Sequence, residues 1–222
     1  MSEGPRILFD IARNCDAWPP ETARIKLGRI AEMIENPTTT TLRCFVAIAS
    51  PLTEAAWPLV DELEGFASNE EFRLRLVPTG NLHITLKFVG SVDTDQVGLL
   101  DSILRNQSAK QATLNLKFRG IGFFKNSLYM GIEENDALSQ FVSNLNEAFT
   151  FLGYPIEEMK FLPHITLARF QAGGRSELTA RLEAYCNKAW GNLIVESFQL
   201  FRSETLPEGA RYTPIRNYPL LA

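Results

Sequence analysis

The stretch "NLHITLKFVG" (residues 81–90) decides how this chain is read, because its HITL returns at 164–167 within "FLPHITLARF" (161–170). The chain has two histidines, and each opens one copy of the tetrapeptide. At the abundances of Ile, Thr and Leu here, a second His followed by ITL arises by chance roughly once in two thousand draws, so the repeat is a signal. The settings also match. A Pro-marked turn precedes each copy, Pro78-Thr79-Gly80-Asn81 and Pro163, and Lys87-Phe88 and Arg169-Phe170 come after them.

In a strand, side chains alternate faces with a period of two. His83 and Thr85 then share one face, with Lys87 after them, while Ile84 and Leu86 take the other. His164 and Thr166 share a face opposite Ile165 and Leu167. The apolar pairs belong against helices; the polar pairs belong outside or in a cleft. Two halves related by a rough two-fold would bring both polar faces together. An imidazole exchanges protons near neutrality, so two can act as acid and base on opposite sides of one reacting centre. A Thr hydroxyl two residues on can donate to a phosphoryl oxygen or to developing negative charge. The set suits in-line displacement at phosphorus. A metal site is the rival reading, but it wants a third ligand, and neither HITL has Asp, Glu or Cys in its immediate flanks. A Ser/His/Asp triad lacks its GxSxG signature.

Working outward, strands alternate with helices from Leu42 on. Strands are expected over 42–49, 72–77, 81–90, 112–124, 127–133, 160–170, 193–203 and 211–219. Helices are expected over 51–67 with Thr53 as cap, 93–106 with Asp93 or Thr94 as cap, 136–154 and 176–190. Two comparable halves, each with one HITL strand, imply an α+β fold with pseudo-two-fold symmetry. Residues 1–41 read differently, as an amphipathic helix followed by the Thr-rich linker "NPTTTT", an extension before a domain spanning 42–222. Phe45, Phe88 and Phe170 are expected in the core, and Lys87 is either on the polar face of the site or merely solvated.

The bulk composition limits the function classes. At 222 residues, 45% hydrophobic and 22% charged, the chain has the make-up of an ordinary globule. No apolar run is long enough to span a bilayer. The N-terminus has no signal-peptide pattern, and three widely spaced cysteines, Cys15, Cys44 and Cys186, fit a reducing cytoplasm. A net charge of −4 argues against gripping long nucleic acid and for contact with one end or one phosphate.

These paired motifs resemble the two-histidine phosphoesterase superfamily, and within it the RNA 2',3'-cyclic phosphodiesterase branch historically called 2'-5' RNA ligase. The likeness runs from about Leu42 to Leu220 and includes "LRCFVAIASP", "GIGFF", "LGYPIEEMKFLPHITLARF" and "FQLFRSETLPEGARYTPIRNYPL". It implies a bilobal α+β fold, two pseudo-two-fold lobes of mainly antiparallel sheet with helices packed outside and an active-site cleft between them. It implies metal-independent hydrolysis of RNA 2',3'-cyclic phosphate ends to a 2'-phosphate, without cofactor; a cytoplasmic monomer is expected. Carried over by position, His83 is the proton donor, His164 the proton acceptor, and Thr85, Thr166 and Arg169 bind the phosphate. Strict alternation places Arg169 on the face opposite His164, so it reaches the site only where the strand bends or ends. The alternatives are another cyclic phosphate or a 2'-5' oligonucleotide as substrate, reverse 2'-5' ligation at the same site, and a non-catalytic RNA-end binding module.

Overall fold

The computed structural model describes residues 40–69, 73–157, 160–170, 175–207 and 209–222. The helix expected before residue 40 lies outside them, and the described unit runs from Thr40 to Ala222. In chain order its elements are β1 (Thr41–Ala49), α1 (Trp57–Ala67), β2 (Arg75–Leu76), β3 (His83–Asp93), α2 (Val97–Ser108), β4 (Leu114–Phe123) and β5 (Ser127–Ile132). They continue with α3 (Asp136–Thr150), β6 (His164–Arg169), α4 (Arg175–Arg181), β7 (Ala189–Val195), β8 (Ser197–Leu206) and β9 (Gly209–Pro219).

All the strands join one antiparallel sheet in the order β7-β4-β5-β6-β3-β1-β8-β9, with the short β2 beside β6. The order is symmetric about the seam between β6 and β3. β5 and β1 flank the two HITL strands, then come β4 and β8, then β7 and β9. The units β1-α1-β3-α2 and β5-α3-β6-α4 repeat one plan, so the pseudo-two-fold expected from the repeat is present in the topology. A single residue, Glu196, separates β7 from β8 although they lie in opposite halves; its carbonyl accepts from Leu220 N–H at 2.8 Å. The ends of β7 and β9 therefore come together at that corner.

One apolar core serves both halves. Ile84, Leu86, Ile165 and Leu167 enter it from the HITL strands and meet Leu59 and Leu63 of α1, Leu100 and Leu104 of α2, and the buried face of α3. That face, Leu138, Phe141, Val142, Leu145 and Phe149, has helical spacing. Its helix begins where Asn135 Oδ1 accepts Leu138 N–H at 2.9 Å, a side-chain cap. A second, smaller cluster of Phe45, Ala47 and Phe201, with Tyr212 against it, lies apart from this core.

Several local expectations need correction. Thr53 does not cap α1 through its side chain; its hydroxyl bonds the carbonyl of Trp190. Gln96 occupies the N-cap of α2, in place of Asp93 or Thr94. The helix expected over 176–190 ends at Arg181, and a short 3-10 turn leads into β7. Fully buried Trp190 donates its indole N–H to Gly120 O at 3.0 Å, and Gly120 N–H reaches Lys188 O at 2.8 Å. Pairing with β4 thus outweighs local helix propensity. The strand expected over 193–203 is two strands, broken at Glu196.

Candidate functional site

β3 and β6 are antiparallel neighbours with Ile84 opposite Ile165. Continued one residue to either side, that register sets His83 beside Thr166 and Thr85 beside His164. The four groups form a two-by-two array on the face turned away from the apolar core, with the histidines on one diagonal. A cavity of about 340 Å³ opens over the array and is lined by His83, Thr85, His164, Thr166 and Arg169. All five residues singled out from the sequence therefore line one cleft.

Both imidazoles are held by the same device. His83 Nδ1 lies 2.7 Å from Asn81 O, and His164 Nδ1 lies 2.8 Å from Leu162 O. A carbonyl only accepts, so each Nδ1 carries the proton and donates it, leaving Nε2 free for chemistry. Ring contacts complete each setting. His83 lies against Phe45 at 5.0 Å and Tyr212 at 5.2 Å; His164 lies against Phe124 at 4.9 Å and Tyr129 at 5.4 Å. Burial pushes the pKa of His83 down, the Asn81 carbonyl partly offsets this, and charge on His164 and Arg169 lowers it further. Together these surroundings favour a neutral His83.

A register slip brings Arg169 to the cleft. Tyr129 pairs with Thr166 but the preceding Leu128 pairs with Ala168, so Leu167 is an extra residue in β6, a bulge that turns the rest of the strand to the other face. Ala168 goes into the core and Arg169 comes out. β3 carries the same slip, since Ala47 pairs with Thr85 and Val46 with Lys87, leaving Leu86 extra. Two expectations are corrected by it. Lys87 points into the interior, 2% exposed, with Nζ 2.6 Å from Asn146 Oδ1 and 3.3 Å from Glu157. Phe88 points out, 68% exposed, and lines the cleft at the position equivalent to Arg169. Phe170 is in the core as expected, whereas Phe45 is buried in the smaller cluster against His83.

Other lining groups come from segments whose meeting only the topology reveals. Arg75 pairs with Arg169 across β2 and β6, and neither forms an ion pair with a described residue. Gly209, at φ +134°, lies behind Arg75; a Cβ there would sit 2.5 Å from Arg75 Nη2. Asn81 Nδ2 donates to Ala210 O at 2.8 Å, tying the turn before β3 to the start of β9, which carries Tyr212. Tyr129 lies across β4 where Gly122 leaves room: a Cβ on Gly122 would be 2.3 Å from its ring. The Gly-Ile-Gly spacing before Phe123 is the one local signal of that close approach. Among the described residues no three His, Cys, Asp or Glu side chains gather as a metal site, and no helix is long and apolar enough to cross a membrane.

Known proteins share this architecture. The sequence model of the 2'-5' RNA ligase superfamily matches residues 52–205. A protein named RNA 2',3'-cyclic phosphodiesterase from Methanocaldococcus jannaschii is 29% identical over 185 residues, covering 80% of this chain and 100% of its own. A protein of the same name from Methanothermobacter thermautotrophicus is 26% identical over 185 residues, covering 81% of this chain and 99% of its own. The crystal structure of TT0787 from Thermus thermophilus superposes with a TM-score of 0.63 at 25% identity, covering 81% of this chain and 98% of that one.

Proposed function

Because the chain belongs to the 2'-5' RNA ligase superfamily, we propose that it is an enzyme that opens the 2',3'-cyclic phosphate at an RNA end to a 2'-phosphate. The observation that carries this reading is the pair of imidazoles, each fixed at Nδ1 by a backbone carbonyl, with two free Nε2 atoms and two Thr hydroxyls on one array. The curated relatives above bear the name of this activity.

In the proposed reaction His164 Nε2 takes a proton from a water as its oxygen attacks phosphorus. The bond from phosphorus to the 3'-oxygen breaks opposite, and His83 Nε2 hands its proton to that oxygen. The products are a 2'-phosphomonoester and a free 3'-hydroxyl. Thr85 and Thr166 donate to the non-bridging oxygens, and the Arg169 guanidinium offsets their charge. His83 must be protonated to serve as the acid, although burial favours its neutral form. An entering phosphate anion supplies the opposite charge that raises its pKa, so the acid is charged when substrate binds.

The near-identity of the motifs leaves the roles interchangeable, and the surroundings favour one assignment. In-line displacement puts the ribose on the side of the acid and water on the side of the base. Two further grooves open from the cleft, and both are lined by His83 and not His164. Room for a nucleoside beside His83 supports His83 as acid and His164 as base.

The test is hydrolysis of a short RNA bearing a 2',3'-cyclic phosphate, in EDTA, by the wild type and by His83→Ala and His164→Ala. We expect a 2'-phosphate product, indifference to EDTA because the reaction as drawn uses only side-chain protons and cations, and losses of about 10²–10⁴-fold in each variant. A 3'-phosphate product, or full activity in either variant, would overturn the reading. RNA-end binding without turnover would instead mark a binding module.

A further inference from the structure

One of the two side grooves has the chemistry of a nucleotide site. It has a volume of about 330 Å³, within the range of small-ligand sites, and it shares His83, Phe88, Arg169 and Tyr212 with the cleft while adding Arg43, Ser203 and Thr205. Arg43 is exposed on β1 and forms no ion pair with a described residue. The hydroxyls of β8 line the same groove, and the Phe88 ring stands at the junction, turned outward by the Leu86 bulge. A guanidinium with two hydroxyls suits a phosphodiester, and an exposed ring suits the face of a base.

Resting on the reading of His83 as acid, the direction of the strand is set. The departing 3'-oxygen belongs to the terminal ribose, so that ribose lies beside His83. The rest of the RNA leaves through the 5' side of the same sugar, and this groove begins at His83. We propose that it holds the nucleotide preceding the cyclic-phosphate end, its base against Phe88 and its phosphodiester on Arg43, and that the enzyme discriminates strand ends from free mononucleotides. The grip is local, in keeping with a net charge of −4: Arg169, which also lines this groove, is taken by the cyclic phosphate in the proposed reaction, and Arg43 is left to meet one internucleotide phosphate.

The test compares kcat/KM for adenosine 2',3'-cyclic phosphate with that for a diadenylate ending in a 2',3'-cyclic phosphate. The diadenylate should be favoured on the order of tenfold, as expected of one charged hydrogen-bonding contact. Arg43→Gln should lower kcat/KM for the diadenylate at least about fivefold more than for the mononucleotide, most of that one contact being lost. Thr205→Glu, at an exposed strand position, should do the same by repulsion, with melting temperatures checking that both variants fold. Equal turnover of the two substrates, or equal losses on both in the variants, would overturn this inference while leaving the phosphodiesterase reading intact. Failure of the wild type to open either substrate would overturn that reading and the inference with it.

Discussion

Replacing Gly122 by Ala tests whether the wall behind His164 is part of the working site. Gly122 is not among the glycines at positive φ, so alanine suits its backbone and the effect comes from the added methyl. That Cβ would lie 2.3 Å from Cζ and Oη of Tyr129 and 2.9 Å from Cε1. Carbon contacts settle near 3.5 Å, so the ring must retreat by about 1.2 Å. It has little freedom to do so, being stacked on Phe124 at 4.5 Å and edged against His164 at 5.4 Å. Overpacking of this kind costs about 1–3 kcal/mol, or roughly 2–12 °C in melting temperature for a domain of this size. A displacement near 1 Å passed to the His164 imidazole, acting as proposed, should cost up to about 10²-fold in rate. The assay is a double-mutant cycle in kcat/KM for cyclic-phosphate opening, with Tyr129→Leu as the second change. Gly122→Ala should be costly alone and nearly silent with Leu at 129. An equal rate loss in both backgrounds, or a lower melting temperature with unchanged kcat/KM, would refute the reasoning.

Three further outcomes are expected. Asn146→Ala together with Glu157→Gln strips the buried Lys87 ammonium of its 2.6 Å acceptor and of its carboxylate partner and should cost about 3 kcal/mol in urea unfolding, more than Lys87→Met, since an orphaned buried charge is worse than none. His83 has a lowered pKa in the folded state, so the unfolded chain takes up the proton first as pH falls. Its contribution should weaken stability as pH drops through about 6.5 and be absent above it, read as the difference between wild type and His83→Gln unfolding from about pH 5 to 8. Arg75 lines the cleft beside Arg169, and Arg75→Ala should lower kcat/KM about tenfold, a loss on the order of one charged contact, with the melting temperature checking that the variant folds.

Period-two alternation within each HITL was enough to set His and Thr on one face and Ile and Leu on the other, and the repeat itself pointed to paired halves. Beyond the tetrapeptides the facing of side chains was not legible. The slips at Leu86 and Leu167 exist because β1 and β5 pair with those strands at a particular register, a non-local fact with no local signature. For this reason Lys87 and Phe88 exchange their expected places and Arg169 reaches the cleft against strict alternation. The same limit applies to Arg75, Asn81 and Tyr212, which meet only where the β8–β9 hairpin reaches the turn before β3. It applies equally to Trp190, whose burial against β4 turns the end of a helical pattern into a strand.

The backbone carbonyls that hold the two imidazoles also set how the site resets. With Nδ1 occupied on both rings, neither can relay a proton through itself to the far side; all traffic passes through Nε2 and the shared cleft. One turn of the proposed reaction therefore ends with the charges exchanged, His83 neutral and His164 carrying the proton. That spent state is the catalyst for the opposite reaction, with a base beside the 3'-hydroxyl and an acid beside the departing oxygen. Direction then depends on which escapes first. If product leaves and cleft water re-equilibrates the rings, hydrolysis is committed. If a 2'-phosphate end stays, the same two residues are already loaded to close it again. The recharging of the pair is thus a distinct step in the cycle, open to buffer catalysis and to deuterium substitution in the solvent.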